Sequence, residues 1–284
     1  MQEHEVIIVN GIPEKYYNAI VDRAVRYGLL SVAFTFNRLD IDNLKQKIIN
    51  IAKGKTAELL FRFFCVHNNI NVDFNACSTP FYQKDNRDFV CEKYEWDIKN
   101  NFVYHHSPTI HLSEKYINLP ALIPDHHAHD QWSKRDQLYI NGTSGVRYLF
   151  TFLKNADYYK KGENFIELHL TGEQEQKLCS VYLEYYKQHN PSAAPFTENE
   201  FWNLLNIQEK LFSVVHYPQL VITSYADNNH WNLFTSSGPG IKTYCGRLLT
   251  TKINNRNTPV RNLPSFLSLF PHLNNELKLA ELRR

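Results

Sequence analysis

The stretch DFVCEKYEWDIKNN, residues 88–101, decides how this chain is read. Its second half alternates, with Tyr94, Trp96 and Ile98 interleaved between Glu95, Asp97 and Lys99. A strand points successive side chains to opposite faces, so the apolar set takes one face and the charged set the other. The charged face then carries a carboxylate two residues before an ammonium, with a further carboxylate, Asp88, just upstream. Two arrangements suit such a pattern. One is a half-exposed edge strand whose charges are solvated; the other is a site that uses them.

Upstream lies the segment KTAELLFRFFC, residues 55–65. Ala57, Leu60, Phe61, Phe64 and Cys65 recur at helical spacing and form a buried stripe. Glu58 sits at the margin of that stripe, flanked in helical space by Lys55 and Arg62, and pairing with Arg62 at i+4 is its simplest use. The helical pattern begins near residue 40, runs through Leu44, Ile48, Ile51 and Ala52, and either continues or restarts at Gly54, ending near residue 67. Between this helix and the opening stretch, residues 70–74 (INVDF) read as a strand, and residues 81–91 as another strand interrupted by the polar turn KDNR.

At the N-terminus, EVIIV (5–9) reads as a buried strand closed by Asn10-Gly11, and Pro13 suits the first position of a helix reaching Gly28. Residues 31–36 (SVAFTF) alternate as a strand. Beyond residue 103 the chain is irregular and rich in histidine, with a short helix expected over 130–138 and a strong strand over 146–153 (VRYLFTFL). Strands are expected at 167–170, 219–224 and 231–234, and helices at 171–189 and from the capping box at Thr197 through residue 212. SSGPG (236–240) reads as a loop. The texture changes near residue 155, but no Pro/Ser-rich linker divides the chain.

The 284 residues are 43% hydrophobic and 21% charged, an ordinary globular balance, with a net charge of +2. Residues 242–284 carry eight Lys or Arg against Glu276 and Glu281, which fits a solvated tail or a phosphate-facing surface. Five cysteines without a CxxC pair suit a reduced protein with small buried thiols. The first residues show no basic region followed by an apolar one, and no apolar run approaches the ~18 residues that span a bilayer. The expectation is a cytoplasmic protein with no membrane partner.

Gly54-Lys55-Thr56 imitates the end of a P-loop, but Ile49 stands where the first glycine belongs and the run lies inside a helical pattern. His105, His106, His111, His126, His127 and His129 cluster in a loop-like region without the paired arms of a structural zinc site. No G-x-S-x-G elbow singles out a nucleophile. What remains is an acid on a helix, an acid at the start of a strand, and acid-x-Lys on the next strand: Glu58, Asp88, then Asp97 and Lys99. Hydrolysis of a phosphodiester needs a divalent metal to neutralise charge and activate water, and Asp88 with Asp97 offers the oxygen ligands Mg²⁺ prefers. Lys99, on the same face as Asp97, suits orienting the water and stabilising developing charge. Asp85 and Asp73 compete for the role of Asp88. Asp88 adjoins the apolar Phe89-Val90 pair and lies at a hairpin distance from Asp97, whereas Asp85 falls in the polar turn and Asp73 at the end of an earlier strand.

With GKTAELLF around Glu58, RDFV around Asp88 and YEWDIKNN carrying Asp97 and Lys99, the chain resembles the PD-(D/E)XK nuclease superfamily, the fold of most type II restriction endonucleases. The resemblance covers about residues 54–101. It implies an α/β fold, restriction-endonuclease-like, with a central mixed β-sheet flanked by helices and an α+β C-terminal extension. It also implies one nuclease domain over residues 1–284, with its catalytic core about 40–155 and a DNA-recognition part about 156–284. Glu58, Asp88 and Asp97 would hold Mg²⁺, and the substrate would be double-stranded DNA cut by a homodimer, since two-fold symmetry presents one site to each strand. The competing expectations are a non-catalytic nucleic-acid-binding protein whose Asp/Lys face is an ordinary salt bridge, and a repair, phage or RNA-directed nuclease of the same fold.

Overall fold

A computed structural model of the chain describes residues 1–35, 42–103, 116–140, 142–154, 164–188, 191–206, 211–242 and 249–273. In chain order the elements are β1 (Ile7–Val9), α1 (Glu14–Ser31), α2 (Leu44–His67), β2 (Phe89–Cys91), β3 (Tyr94–Val103), β4 (Pro120–Pro124) and β5 (Gly145–Lys154). There follow β6 (Ile166–Leu168), α3 (Gly172–Tyr185), α4 (Glu198–Leu205), β7 (Phe212–Val214), β8 (Gln219–Ala226), β9 (Thr235–Ser237), β10 (Gly240–Lys242), β11 (Leu249–Thr251) and β12 (Asn255–Pro259). The architecture is α/β. A five-stranded mixed sheet, ordered β1-β8-β5-β3-β2, is antiparallel except for the parallel pair β3/β5.

Residues 146–153 of β5 are all buried, as expected of a central strand covered on both faces. Leu149 and Leu153 join Trp96 and Ile222 in a cluster that takes in residues of all four helices. Tyr148, Phe150 and Phe152 face the other way, against Ala121 and Ile123 of β4, Phe234 and Val260. That second face is covered by a small sheet, β4-β12-β9. The central sheet therefore draws β1 and β8 from outside residues 40–155.

α2 is one uninterrupted helix through Gly54, and Asn43 caps it by accepting the Gln46 N–H at 3.0 Å. The Gly54-Lys55-Thr56 run is interior to it, and the Thr56 hydroxyl donates back to the Ala52 carbonyl. α1 crosses α2 at Gly28, where a Cβ would stand 3.0 Å from the Ile48 carbonyl oxygen. Only glycine fits that approach without displacing backbone.

Several expectations need correction. Residues 32–34 form a buried turn after α1 rather than a strand, and residues 70–74 contribute only an isolated bridge between Asp73 and Val90. Residues 131–136 are turns rather than a helix, 231–233 a 3-10 turn, and SSGPG overlaps the ends of β9 and β10. The helix from Thr197 stops at Leu205, where Asn206 takes a left-handed conformation, and Phe212 opens β7. Thr197 forms the expected capping box, and Thr171 forms a second one. Among the described residues no helix is long and apolar enough to cross a membrane.

Candidate active site

The site starts at a tight hairpin. Glu92 and Lys93 join β2 to β3 with φ of 50° and 67°, the pair of positive values that a two-residue type I′ turn requires. This turn pairs Phe89 with Trp96, so Asp88 falls opposite Asp97. β2 begins only at Phe89, and from Asp97 onward β3 has no strand partner on that side. Asp88 takes over: its N–H donates to the Trp96 carbonyl at 2.8 Å, and its carboxylate accepts the Ile98 N–H. An acid thus satisfies the strand edge where the strand has ended.

β3 itself is not a solvated edge strand. It lies between β2 and β5, and its charged face is inside: Glu95 is 0% and Asp97 7% exposed. The two acids have different work. Glu95 accepts the N–H groups of Tyr139 and Ile140 at 2.7 and 2.6 Å and the Thr143 hydroxyl at 3.2 Å, with the Arg87 guanidinium 3.6 Å away. Arg87 also donates to the carbonyls of Asn86, Lys134 and Gln137. This pair ties Lys134, Gln137, Tyr139, Ile140 and Thr143 to the sheet and is structural. Asp97 contacts the Lys99 ammonium at 2.5 Å and Arg87 at 3.8 Å. Lys99 lies 4.9 Å from the centre of the Tyr148 ring, whose hydroxyl is anchored on the Gln131 carbonyl.

Glu58 reaches the same place from α2. Its partner is Lys55, one turn back, and not Arg62, whose guanidinium rests on the Phe74 ring. Lys55 also lies 3.8 Å from Asp85. Glu58, Asp85 and Asp88 each offer a carboxylate oxygen, and these oxygens all lie within 4.8 Å of one another. A cleft of about 330 Å³ is lined by these three together with Asp97, Lys99, Asn100, Gln131 and Asn255. All four residues singled out from the sequence border it. Asp85, set aside there as a turn residue, belongs to it as well. Asp73 does not: its carboxylate caps its own turn through the N–H groups of Asn75 and Ala76.

Crowding sets the electrostatics. Burial, then repulsion from Asp88, pushes the Asp85 carboxyl up to about 7 despite Lys55. Asp88 is raised well above its ordinary range by burial and by Glu58 and Asp97, against the opposing Ile98 hydrogen bond. Glu58 is raised by burial, which outweighs Lys55. Burial pulls the Lys55 ammonium down, but the surrounding carboxylates outweigh this and hold it charged. The oxygens of these three carboxyls are hard donors of the kind that alkaline-earth cations take.

Of the histidine group, His105, His106 and His111 lie outside the described residues. His126, His127 and His129 are exposed in a loop organised by Asp130, which accepts the N–H groups of His126 and His127. Among the described residues, the carboxylate trio is the one group of three or more candidate ligands close enough to share an ion. Of the basic C-terminal residues, Arg256 is paired with Asp125 at 2.7 Å and Arg261 with Asn118, while Arg247, Lys278, Arg283 and Arg284 lie outside the described residues. Comparison with family models, with curated proteins and with solved structures gave no match for this chain.

Proposed function

We propose that the chain is a Mg²⁺-dependent DNA endonuclease, of the type II restriction class, with a restriction-endonuclease-like core. The observation that carries this reading is the convergence of Glu58 from a helix, Asp88 from a strand start, and Asp97 and Lys99 from the adjacent strand on one cleft. Glu58, Asp88 and Asp97, joined by Asp85, would hold the ion. When bound, Mg²⁺ neutralises phosphate charge and lowers the pKa of a water. The chain's own part is positioning. Asp97 steers the Lys99 ammonium, Tyr148 backs it, and the Glu95–Arg87 pair fixes the strand that carries both. Lys99 would then stabilise charge developing on the phosphoryl oxygens. Residues from the C-terminal part, about 156–284, would contact the duplex, and a homodimer would cut both strands.

One observation favours a second reading. Asp97 is already engaged by Lys99 and Arg87, which suits a closed ion-pair network in a non-catalytic nucleic-acid-binding protein. Incubating plasmid and phage DNA with wild type, Asp97→Ala and Lys99→Ala, in Mg²⁺ or in EDTA, separates the two. The nuclease reading expects defined fragments from wild type in Mg²⁺ alone and a loss of about 10²–10⁴ in rate for Lys99→Ala. Binding without cleavage by every version selects the second reading, and variants that cut like wild type overturn this site. RNA substrates in the same series test the RNA-directed alternative.

A further inference from the structure

A second pocket, of about 190 Å³, shares Glu58, Asp85 and Asp88 with the cleft. Its walls follow helical spacing: Arg23 and Tyr27 lie one turn apart on α1, and Lys55, Glu58, Leu59 and Arg62 share a face of α2. Asn75, Ser78 and Thr79 close it from the loop before β2. Of its cations, Lys55 is held by Glu58 and Asp85, and Arg87 by Glu95 and Asp97. Arg23 and Arg62 are different. Neither makes a hydrogen bond or ion pair among the described residues, and Arg62 is oriented only by its stack on Phe74, 5.3 Å to the ring centre.

We infer that this pocket binds a phosphate group of the nucleic-acid strand whose neighbouring phosphodiester occupies the carboxylate cleft, an inference that rests on the proposed nuclease function. Two guanidinium groups without carboxylate partners, beside two hydroxyls and an amide, form the donor set that a phosphate's oxygens accept from. The volume falls below the roughly 300 Å³ at which pockets begin to hold whole small molecules, so it suits one group of a larger ligand. The shared acids give the strand a polarity: its phosphate is attracted to the arginine end, and Lys55, paired with Glu58 and Asp85, offsets their repulsion of that phosphate.

The test uses the full chain with a fluorescent duplex in Ca²⁺ buffer, followed by anisotropy across a salt series. Arg23→Gln, Arg62→Gln and the double variant are compared with Arg26→Gln, whose arginine is paired with Asp22 outside the pocket. The double variant is expected to bind tenfold or more weakly and to lose about one from the salt slope, the share of a single neutralised phosphate, while Arg26→Gln matches wild type. Because Arg62 also packs on Phe74, Arg62→Lys, which keeps the charge, is expected to recover part of the affinity, and thermal melts confirm that each variant is folded. Duplexes with 5′-phosphate ends, with 5′-hydroxyl ends, and closed circular plasmid separate a terminal from an internal phosphate, and inorganic phosphate is expected to compete at millimolar concentration. A double variant with wild-type affinity and slope overturns the pocket, as does a wild type that binds no duplex. If wild type binds through these arginines but never cuts, the nuclease reading falls and the pocket stands; if the double variant binds and cuts like wild type, the reverse holds.

Discussion

Asp85 keeps its proton up to about pH 7, because burial and the neighbouring Asp88 both oppose its charge. A carboxyl raised in the folded state favours folding while protonated. That contribution is complete below the unfolded value near 3.8 and is lost as pH rises through about 7. Asp88 and Glu58 are shifted in the same direction and add to the trend. In EDTA, the melting temperature of wild type relative to Asp85→Asn should therefore fall between pH 4 and pH 7. If the trio holds a cation, Mg²⁺ should raise the melting temperature more at pH 8 than at pH 5, since the ion then replaces protons. Glu95→Ala removes the buried carboxylate that faces the buried Arg87 guanidinium and accepts two part-buried N–H groups, and is expected to destabilise by about 3–5 kcal/mol, measured by urea unfolding. Asp97 and Lys99 were legible in the sequence because a strand's period of two exposes them. Asp85 was not, because a turn has no period and its place depends on where α2 brings Glu58 and Lys55.

At the scale of elements, α2, β5 and β8 were readable because each carries its own apolar pattern over many residues. The short pieces were not. Residues 32–34 are apolar because they fill space after α1, at 1–5% exposure, and such a run looks like a strand. The β2–β3 hairpin was found only by distance, since Glu92-Lys93 lacks the Asn-Gly signature of its turn. Both residues hold positive φ, which costs a side-chain-bearing residue roughly 1–2 kcal/mol. Replacing them by Asn-Gly should raise unfolding free energy by about 1 kcal/mol without moving the register, read as a higher urea midpoint at unchanged slope. At the α1–α2 crossing the reverse applies: Gly28→Leu forces side-chain atoms against the Ile48 carbonyl and should cost about 1–3 kcal/mol in the same measurement.

Over the whole molecule, the sheet that presents the cleft is assembled from both halves of the chain. β8, from residues 219–226, sits between β1 and β5, and β5 is the parallel partner of β3 along its full length. Sequence patterns could locate each strand but not this order, because the pairing partner of a strand is not written in its own alternation. The consequence concerns the catalytic core expected over residues 40–155. A fragment of that span would keep α2, β2, β3 and β5, yet expose the β5 edge that β8 pairs with and strip the α1 and β8 side chains from the cluster that holds Leu149 and Leu153. At roughly 25 cal/mol per Å² of apolar surface, uncovering several such side chains exceeds the few kcal/mol by which a domain is stable. The fragment is therefore expected to show no cooperative urea transition and to bind an apolar dye, whereas the full chain unfolds cooperatively. A fragment that unfolds as sharply as the full chain would mean that β8 is an addition to a self-sufficient core; its failure to do so makes β8 part of the frame that holds Asp97 and Lys99 in the cleft.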